Sequence, residues 1–323
     1  MNLDRKHIIS IISGYSDKNI LVIGDIIMDA YFWGKTDRIS PEAPVPIVDV
    51  DKTNFNPGGA GNVALNLSTL GAKVSIMAMV GNDSNGDTLL TQLNDQGIDT
   101  SFSIVLDNYQ TPIKTRVIAQ DQQIVRIDQE NSSTDLYSRS LKIKLDNKLK
   151  RFDGIILADY NKGLLSKSLI ESIIKIAKEY SIPIYVDPKK DNFFEYNCVK
   201  LFKPNSAEFK EAIGSDYSED NIVSIGKNFR IKYKSEILLI TRGAKEALLF
   251  TKDGNETIPT ITQSVHDVSG AGDTVISVFA LSDLCGASPI ESASIANIAA
   301  GIVCSKVGVV PVHSNELKSK ILD

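Results

Sequence analysis

The stretch Asp267-Val268-Ser269-Gly270-Ala271-Gly272-Asp273, followed by the apolar run 274–281, is the most informative part of the sequence. Small residues directly before a long helical pattern predict a helix N-terminus whose free N–H groups can bind an anion. Asp273 falls on the first turn of that helix, where its charge would repel a phosphate group. A carboxylate beside an anion site can instead take the proton from a hydroxyl group that attacks phosphate. The segment suggests phosphoryl transfer to an alcohol, and a glycine turn followed by a dipole-complementing Asp is the alternative.

Length and composition narrow the class of protein. The 323 residues can form one large α/β domain or two ordinary ones, with a sizeable core. A net charge of −5 and a pI near 5.4 argue against nucleic-acid binding. No apolar run approaches the ~18 residues of a membrane span, and we interpret residues 1–7 as the start of a mature cytosolic chain. The three cysteines are scattered, without the spacing of a disulfide framework or a zinc site.

Short apolar strands alternate with helical patterns along the chain. This alternation predicts a parallel sheet that is covered by helices on both faces. The predicted strands are 20–24, 74–80, 155–158, 184–186 and 237–240, and the predicted helices are 62–70, 166–180, 205–213, 219–232, 271–284 and 289–306.

Polar residues follow four of these strands. Asp25, Asp159 and Asp187 each end a strand, and Thr241-Arg242-Gly243 ends another. Each one alone could be a helix cap or a turn residue. In open α/β sheets, however, ligands bind beyond the carboxyl ends of the strands, so the four together indicate a binding site.

Three segments break the alternation of strands and helices. Residues 45–50, 113–118 and 123–128 are rich in β-branched residues, and no helix separates the last two. These patterns predict antiparallel strands outside the main sheet. A small β-sheet of this kind is suited to act as a lid that excludes water from a transferring phosphoryl group.

Two further motifs sit at predicted helix starts. Asn56-Pro-Gly-Gly-Ala-Gly-Asn62 lacks the spacing of a Walker loop or a dinucleotide fingerprint, but its glycines permit close approach of a ligand. It could also be a plain capped turn. Asn205 and Glu208 have the spacing of a capping box, and they could also order waters around a magnesium ion.

Basic and acidic side chains could hold a phosphorylated sugar. Arg is well suited to bidentate phosphate contact, and carboxylates suit sugar hydroxyls. A single Arg on a strand is more often part of a solvated face. The candidate cations are Arg38, Lys114, Arg116, Arg126 and Lys189, and the candidate hydroxyl acceptors after the first strand are Asp25 and Asp29.

These segments together resemble the ribokinase/PfkB family of sugar kinases. The 267–273 stretch matches the C-terminal signature of that family, except that Val268 replaces the usual Thr. Gly58-Gly59 with Asn62 matches its di-glycine motif, and Asn205 with Glu208 matches its Asn-x-x-Glu motif. The resemblance implies a ribokinase-like three-layer α/β/α sandwich over residues 1–323 as one domain, with lid strands drawn from about 31–50 and 111–128. It also implies ATP and Mg²⁺ as cofactors, a homodimer through the lid strands, and a cytoplasmic location.

A narrower resemblance points to one branch of the family. It rests on the segments 24–29, 33–46, 57–62, 115–116, 122–128, 159–163 and 187–189. They look like the kinases that act on D-glycero-β-D-manno-heptose 7-phosphate, which implies phosphorylation of O1 in ADP-heptose biosynthesis for lipopolysaccharide core. The alternatives are a kinase for fructose 6-phosphate or a neutral sugar such as ribose, a nucleoside kinase, and a kinase-like regulator without catalysis.

The residues and the resemblance together give an expected site. The expected catalytic groups are Asp273 as general base and Gly270, Ala271 and Gly272 as the anion hole. The expected sugar-binding residues are Asp25, Asp29, Arg38, Gly58, Gly59, Asn62, Arg116, Arg126, Asp159, Lys162, Asp187 and Lys189. The expected nucleotide-binding residues are Asn205, Glu208, Thr241, Arg242, Gly243, Gly270, Gly272 and Asn297, with Asn205 and Glu208 meeting the metal through water.

Overall fold

The computed structural model describes residues 4–120, 122–130, 148–260, 268–306 and 308–322. The strands are β1 (Asn19–Gly24), β2 (Ile26–Ile39), β3 (Pro46–Gly59), β4 (Lys73–Met77), β5 (Met79–Gly81), β6 (Ile104–Leu106), β7 (Ile113–Ala119), β8 (Gln122–Gln129), β9 (Gly154–Ala158), β10 (Ile184–Asp187), β11 (Leu201–Phe202), β12 (Ile237–Ile240), β13 (Ala247–Thr251) and β14 (Gly254–Ile258). The α-helices are α1 (Arg5–Ser13), α2 (Ala60–Thr69), α3 (Ser84–Asp95), α4 (Lys167–Glu179), α5 (Ser206–Ile213), α6 (Ile222–Lys232), α7 (Ala271–Leu284), α8 (Pro289–Cys304) and α9 (Ser314–Leu322).

An eight-stranded sheet forms the centre of the molecule. Its order is β14-β13-β12-β11-β10-β9-β1-β4. Six neighbouring strands of this sheet run parallel, namely β12, β11, β10, β9, β1 and β4, whereas β13 and β14 pair antiparallel at the other edge. The carboxyl ends of the parallel strands therefore meet at one edge of the sheet, where the predicted polar residues collect.

Both faces of this sheet are buried. Ile20 and Val22 of β1 belong to one apolar cluster with α1, α2, α7, α8 and α9, whereas Leu21 and Ile23 belong to a second cluster with α4, α5 and α6. Successive side chains of a strand point to opposite faces, so a strand between two layers must be apolar throughout. This arrangement confirms the predicted three-layer α/β/α fold with a mainly parallel sheet.

A second sheet of four strands has the order β3-β2-β7-β8; we call it the lid sheet. β2 pairs antiparallel with β3 and parallel with β7, and β7 pairs antiparallel with β8. β2 starts two residues after β1 ends, and β3 leads directly into α2. The lid sheet is thus joined to the main sheet at the carboxyl end of β1.

Some predicted boundaries are wrong. The single strand predicted over 74–80 is two strands, because β4 ends at Met77 in the main sheet while β5 pairs with β6 in a separate two-stranded sheet. An apolar run does not reveal where a strand changes partner. The glycine-rich turn predicted over 56–62 is not a separate turn: β3 ends at Gly59 and α2 begins at Ala60. Among the described residues, none of the helices combines the length and the apolar character needed to cross a bilayer.

Candidate active site

The N-terminus of α7 is the centre of the candidate site. Gly270 caps this helix in the left-handed conformation, with φ +78°. A Cβ on Gly270 would lie 2.7 Å from Nδ2 of Asn62. Both observations require glycine at this position. The turn brings Asp273 onto the first helical turn as a buried carboxylate.

Two side chains donate hydrogen bonds to the Asp273 carboxylate. Nδ2 of Asn62 donates to Oδ2 at 2.7 Å, and the Tyr160 hydroxyl donates to Oδ1. Asn62 is itself held by Asn66, whose Nδ2 donates to the Asn62 carbonyl oxygen at 2.9 Å and to Asn62 Oδ1 at 3.2 Å. The orientation of Asp273 is therefore fixed from α2 and from the segment after β9.

Burial raises the pKa of the Asp273 carboxyl group to about 6, and the nearby Asp187 charge adds to this effect. The hydrogen bonds from Tyr160 and Asn62 and the Lys203 charge act in the opposite direction. A carboxylate with a pKa near the working pH is ionised and still able to accept a proton effectively. This is the property that a general base needs.

A buried ion pair lies beside α7. Lys203, which follows β11, is 2% exposed, and its Nζ lies 3.0 Å from Oδ1 of Asp187. A Cβ on Gly272 would be 3.5 Å from that Nζ. The ammonium group and the helix N-terminus thus border the same space. Lys203 was not among the predicted site residues, although its position directly after a short apolar strand could have indicated it.

A cavity of about 410 Å³ opens in front of these groups. It brings together residues from seven separate parts of the chain. The predicted residues that line it are Asp187, Lys189, Asn205, Glu208, Thr241, Arg242, Gly243, Gly270, Ala271, Gly272, Asp273 and Asn297, and Tyr160 and Lys203 join them. This is the place where the structure has room for a ligand next to Asp273.

Asn205 and Glu208 form the capping box that the sequence predicted. Asn205 Oδ1 accepts from the Glu208 N–H at 2.9 Å, and Glu208 Oε2 accepts from the Asn205 N–H at 2.8 Å. The Lys189 ammonium donates to Glu208 Oε1. Among the described residues there is no cluster of three potential metal ligands. Because Mg²⁺ usually keeps several water ligands, Asn205 and Glu208 could contact such an ion through water, and this role remains a prediction.

Two of the predicted sugar ligands have structural partners. Asp25 accepts the backbone N–H groups of Tyr160, Lys162 and Leu164 at 2.9–3.1 Å. Asp159 Oδ2 accepts from the Asn192 amide at 3.0 Å and from a tyrosine hydroxyl at 2.7 Å. These carboxylates order the loop after β9. Their contact with a sugar remains a prediction.

Asp29 and Arg116 form an ion pair on the inner part of the lid sheet. Arg116 Nη1 lies 2.5 Å from Asp29 Oδ1, and the guanidinium group lies 5.2 Å from the centre of the Tyr31 ring. A Cβ on Gly58 would fall 2.0 Å from Asp29 Oδ2. Gly58 is therefore required for the position of Asp29.

The other predicted lid cations have carboxylate partners. Arg126 lies opposite Arg116 in the register and binds Asp128 at 2.9 and 3.1 Å. Lys162 binds Glu130 at 2.7 Å. Each of the two guanidinium groups thus has a carboxylate partner within the chain, so the two can lie on neighbouring strands without an external anion. Arg38 lies near the far end of β2, is 65% exposed, and pairs with Asp49 at 3.3 Å.

Comparisons with known proteins identify the family of this chain. The model of the pfkB family of carbohydrate kinases matches residues 17–315. "Bifunctional protein HldE" of Geobacter metallireducens is 40% identical over 98% of this chain and 65% of its own length. The protein of the same name from Haemophilus influenzae strain PittEE is 37% identical over 95% of this chain and 64% of its own length. The chain thus spans slightly less than two thirds of these relatives.

Solved structures show the same fold at low sequence identity. Phosphofructokinase-2 from Escherichia coli, solved in complex with potassium, has a TM-score of 0.78 at 17% identity and covers 95% of this chain and 100% of its own. Arabidopsis thaliana ribokinase, solved with ribose and ATP, has a TM-score of 0.74 at 17% identity and covers 94% and 98%. The fold, the site and the family match lead to one conclusion: this chain belongs to the pfkB family of carbohydrate kinases and is a phosphotransferase with an alcohol group as acceptor.

Proposed function

We propose that this sugar kinase transfers the γ-phosphoryl group of ATP to O1 of D-glycero-β-D-manno-heptose 7-phosphate. Asp273 takes the proton from the O1 hydroxyl, and O1 forms a bond to the γ-phosphorus. The bond between that phosphorus and the β–γ bridging oxygen breaks, so that ADP leaves. The N–H groups at the start of α7 and the Lys203 ammonium stabilise the negative charge on the transferring group.

The observation that carries this proposal is the position of Asp273. The carboxylate is buried, oriented by two donors, and placed at the wall of a cavity that also contains the N-terminus of α7. A base next to an anion site is the arrangement that phosphoryl transfer to an alcohol requires. The intact Asp273 and its glycines argue against a kinase-like regulator that has lost catalysis.

Asn205 and Glu208 would hold a hydrated magnesium ion at the nucleotide side of the cavity. When bound, the ion neutralises charge on the β- and γ-phosphates. Thr241, Arg242 and Gly243 lie along the same cavity, which suits them to contact the nucleotide. Arg242 is ion-paired with Glu219 at 2.5 Å, so its side chain is already oriented.

The phosphorylated substrate is supported by charge on the lid sheet. Lys114 and Arg116 lie two residues apart on β7 and thus on the same face. Burial and the neighbouring Lys162 ammonium lower the pKa of Lys114, although Glu130 opposes this. A bound anion would offset the repulsion between the Lys114 and Lys162 ammonium groups. We therefore assign the distal phosphate of the sugar to this group, which is consistent with relatives named HldE.

Apolar side chains on the lid strands support a homodimer. Ile39, Val50, Val125 and Ile127 are 64%, 48%, 46% and 56% exposed. A second copy of the chain would cover these side chains through the lid strands. We also propose that the enzyme acts in the cytoplasm, where ATP is available, and that its product enters ADP-heptose biosynthesis for lipopolysaccharide core.

A substrate panel tests the proposed function. Release of ADP is measured with heptose 7-phosphate, fructose 6-phosphate, ribose and a nucleoside, and ³¹P NMR identifies the phosphorylated oxygen. We expect the highest kcat/KM for heptose 7-phosphate, with a new phosphate signal at O1. A higher kcat/KM for fructose 6-phosphate or ribose would assign the chain to another sugar specificity within the family.

A further inference from the structure

Tyr160 is the second donor to Asp273, and none of the predicted roles included it. Its hydroxyl donates to Oδ1, while Asn62 donates to Oδ2. Each carboxylate oxygen has two lone pairs, so one position on each oxygen stays available. The two donors come from different parts of the chain, α2 and the segment after β9, and together they fix the plane of the carboxylate.

The Tyr160 ring is held firmly in this place. Its backbone N–H donates to Asp25 Oδ2 at 2.9 Å, and a Cβ on Gly59 would lie 3.4 Å from the ring atom Cδ2. The Lys189 ammonium lies 5.4 Å from the ring centre. The buried Asp25 therefore has an indirect role at the site, since it orders the backbone from which the tyrosine hydroxyl reaches the base.

We propose that Tyr160 is a positioning residue that orients Asp273 and keeps it ionised, with Asp25 holding Tyr160 in place. This inference rests on the proposed function of Asp273 as the base. A hydroxyl that donates to a carboxylate favours the ionised form. Within the described part of the chain, the charged groups that interact with Asp273 include Asp187 at the end of β10, Lys203 after β11, and Lys189.

The hydroxyl remains a donor throughout the working range of pH. Burial and the Asp273 charge, followed by the charges of Asp187 and Glu208, raise the pKa of Tyr160 well above its usual value. The tyrosine is therefore neutral wherever the base titrates. Its loss should shift the titration of Asp273 upward, because one of the contacts that favour the ionised form disappears.

The test compares two matched tyrosine variants. Tyr160→Phe removes the hydroxyl next to Asp273 on the first turn of α7. Tyr185→Phe removes a hydroxyl that donates at 2.7 Å to Asp283 on the last turn of the same helix. Both pairs join a tyrosine to an Asp of α7, but only the first lies at the cavity.

We expect Tyr160→Phe to move the acidic limb of the kcat against pH profile upward by on the order of one pH unit. Tyr185→Phe should keep the parent profile. Replacement of Tyr160 by 3,5-difluorotyrosine keeps the ring and makes the hydroxyl a stronger donor, so the acidic limb should move to lower pH. A parent-like limb in either Tyr160 variant would overturn the proposal.

Two further measurements separate this inference from the proposed function. Asp273→Asn is assayed in parallel, and parent-like turnover of that variant would overturn the base itself rather than the role of Tyr160. If Tyr160→Phe proves too unstable to assay, the difluorotyrosine protein alone decides the question. An inactive Asp273→Asn with an unshifted limb in the difluorotyrosine protein would leave the base intact and refute its positioning by Tyr160.

Discussion

Gly270 and Gly272 are two residues apart, and the structure predicts that a methyl group at each position has opposite effects on the stability of the fold. At Gly270, φ is +78° and an added Cβ would lie 2.7 Å from Asn62 Nδ2. At Gly272, the backbone is helical, and the Cβ would lie 3.5 Å from Lys203 Nζ and 3.8 Å from Asp187 Oδ2. These are ordinary contact distances, so the fold tolerates the methyl group at the second position.

The magnitudes follow from these positions. Gly270→Ala places an L residue in the left-handed conformation, which should lower the stability of the fold by about 1–2 kcal/mol. Displacement of Asn62 adds to this loss. Gly272→Ala should gain up to about 1 kcal/mol of helix propensity. Its methyl group, however, occupies the space between α7 and Lys203 where we place the phosphoryl group. Loss of such charge stabilisation lowers kcat by about 10²–10³-fold.

Thermal melts and steady-state kinetics on the same samples test this contrast. Gly270→Ala should lower both the melting temperature and kcat, whereas Gly272→Ala should lower kcat and keep or raise the melting temperature. Gly97→Ala is the matched control, because Gly97 has φ +74° and, apart from its chain neighbours, no described residue has a heavy atom within 4 Å of the added Cβ. It should lose about 1 kcal/mol of stability and keep the parent kcat. A Gly272→Ala enzyme with the parent kcat would refute the proposed phosphoryl position.

Three further outcomes follow from the site. Arg116→Ala should raise KM for heptose 7-phosphate about tenfold or more with little change in KM for ATP, whereas equal values for variant and parent would return Arg116 to a purely structural role. Glu208→Gln should raise the magnesium concentration needed for half-maximal rate. If the variant instead shows an unchanged magnesium response and a lower melting temperature, from about 1 kcal/mol of lost capping, Glu208 has only the structural role of a helix cap. The native Asp273 holds its proton up to about pH 6, whereas the unfolded chain releases it near pH 4, so its charge destabilises the fold increasingly as pH rises through this range. The free energy of urea unfolding of Asp273→Asn should therefore rise by about 1 kcal/mol relative to that of the parent between pH 5 and pH 7. A difference between the two proteins that stays constant with pH would contradict the raised pKa.

Local motifs accounted for the part of the site that was predictable from the sequence. The residues of the Asn205–Glu208 capping box lie three positions apart, and those at the glycine start of α7 are consecutive, so within each motif the spacing alone specifies the geometry. The buried parallel strands were equally visible, since a strand covered on both faces must be apolar throughout.

Contacts between distant segments were not predictable in this way. The hydroxyl of Tyr160 meets Asp273 across 113 positions of the chain, and Asp25 meets the Tyr160 backbone across 135. The sequence gives the residue types but not which carboxylate faces backbone donors and which faces a cavity. For the same reason the sequence did not reveal that Asp25, a predicted sugar ligand, accepts three backbone N–H groups. The resemblance placed lid strands from about residue 31, but the residue pattern did not show that β2 begins at Ile26, and its register against β3 is irregular near its end.

The most direct test of the central claim is the rate of ADP release with heptose 7-phosphate, measured for the parent enzyme and for Asp273→Asn from pH 5 to pH 8. The parent rate should fall about tenfold per pH unit below about pH 6 as the base becomes protonated. Asp273→Asn should be slower by about 10²–10⁴-fold, without that acidic limb and with nearly unchanged ATP binding. A folded Asp273→Asn protein that turns over at the parent rate and with the parent pH profile would contradict the account.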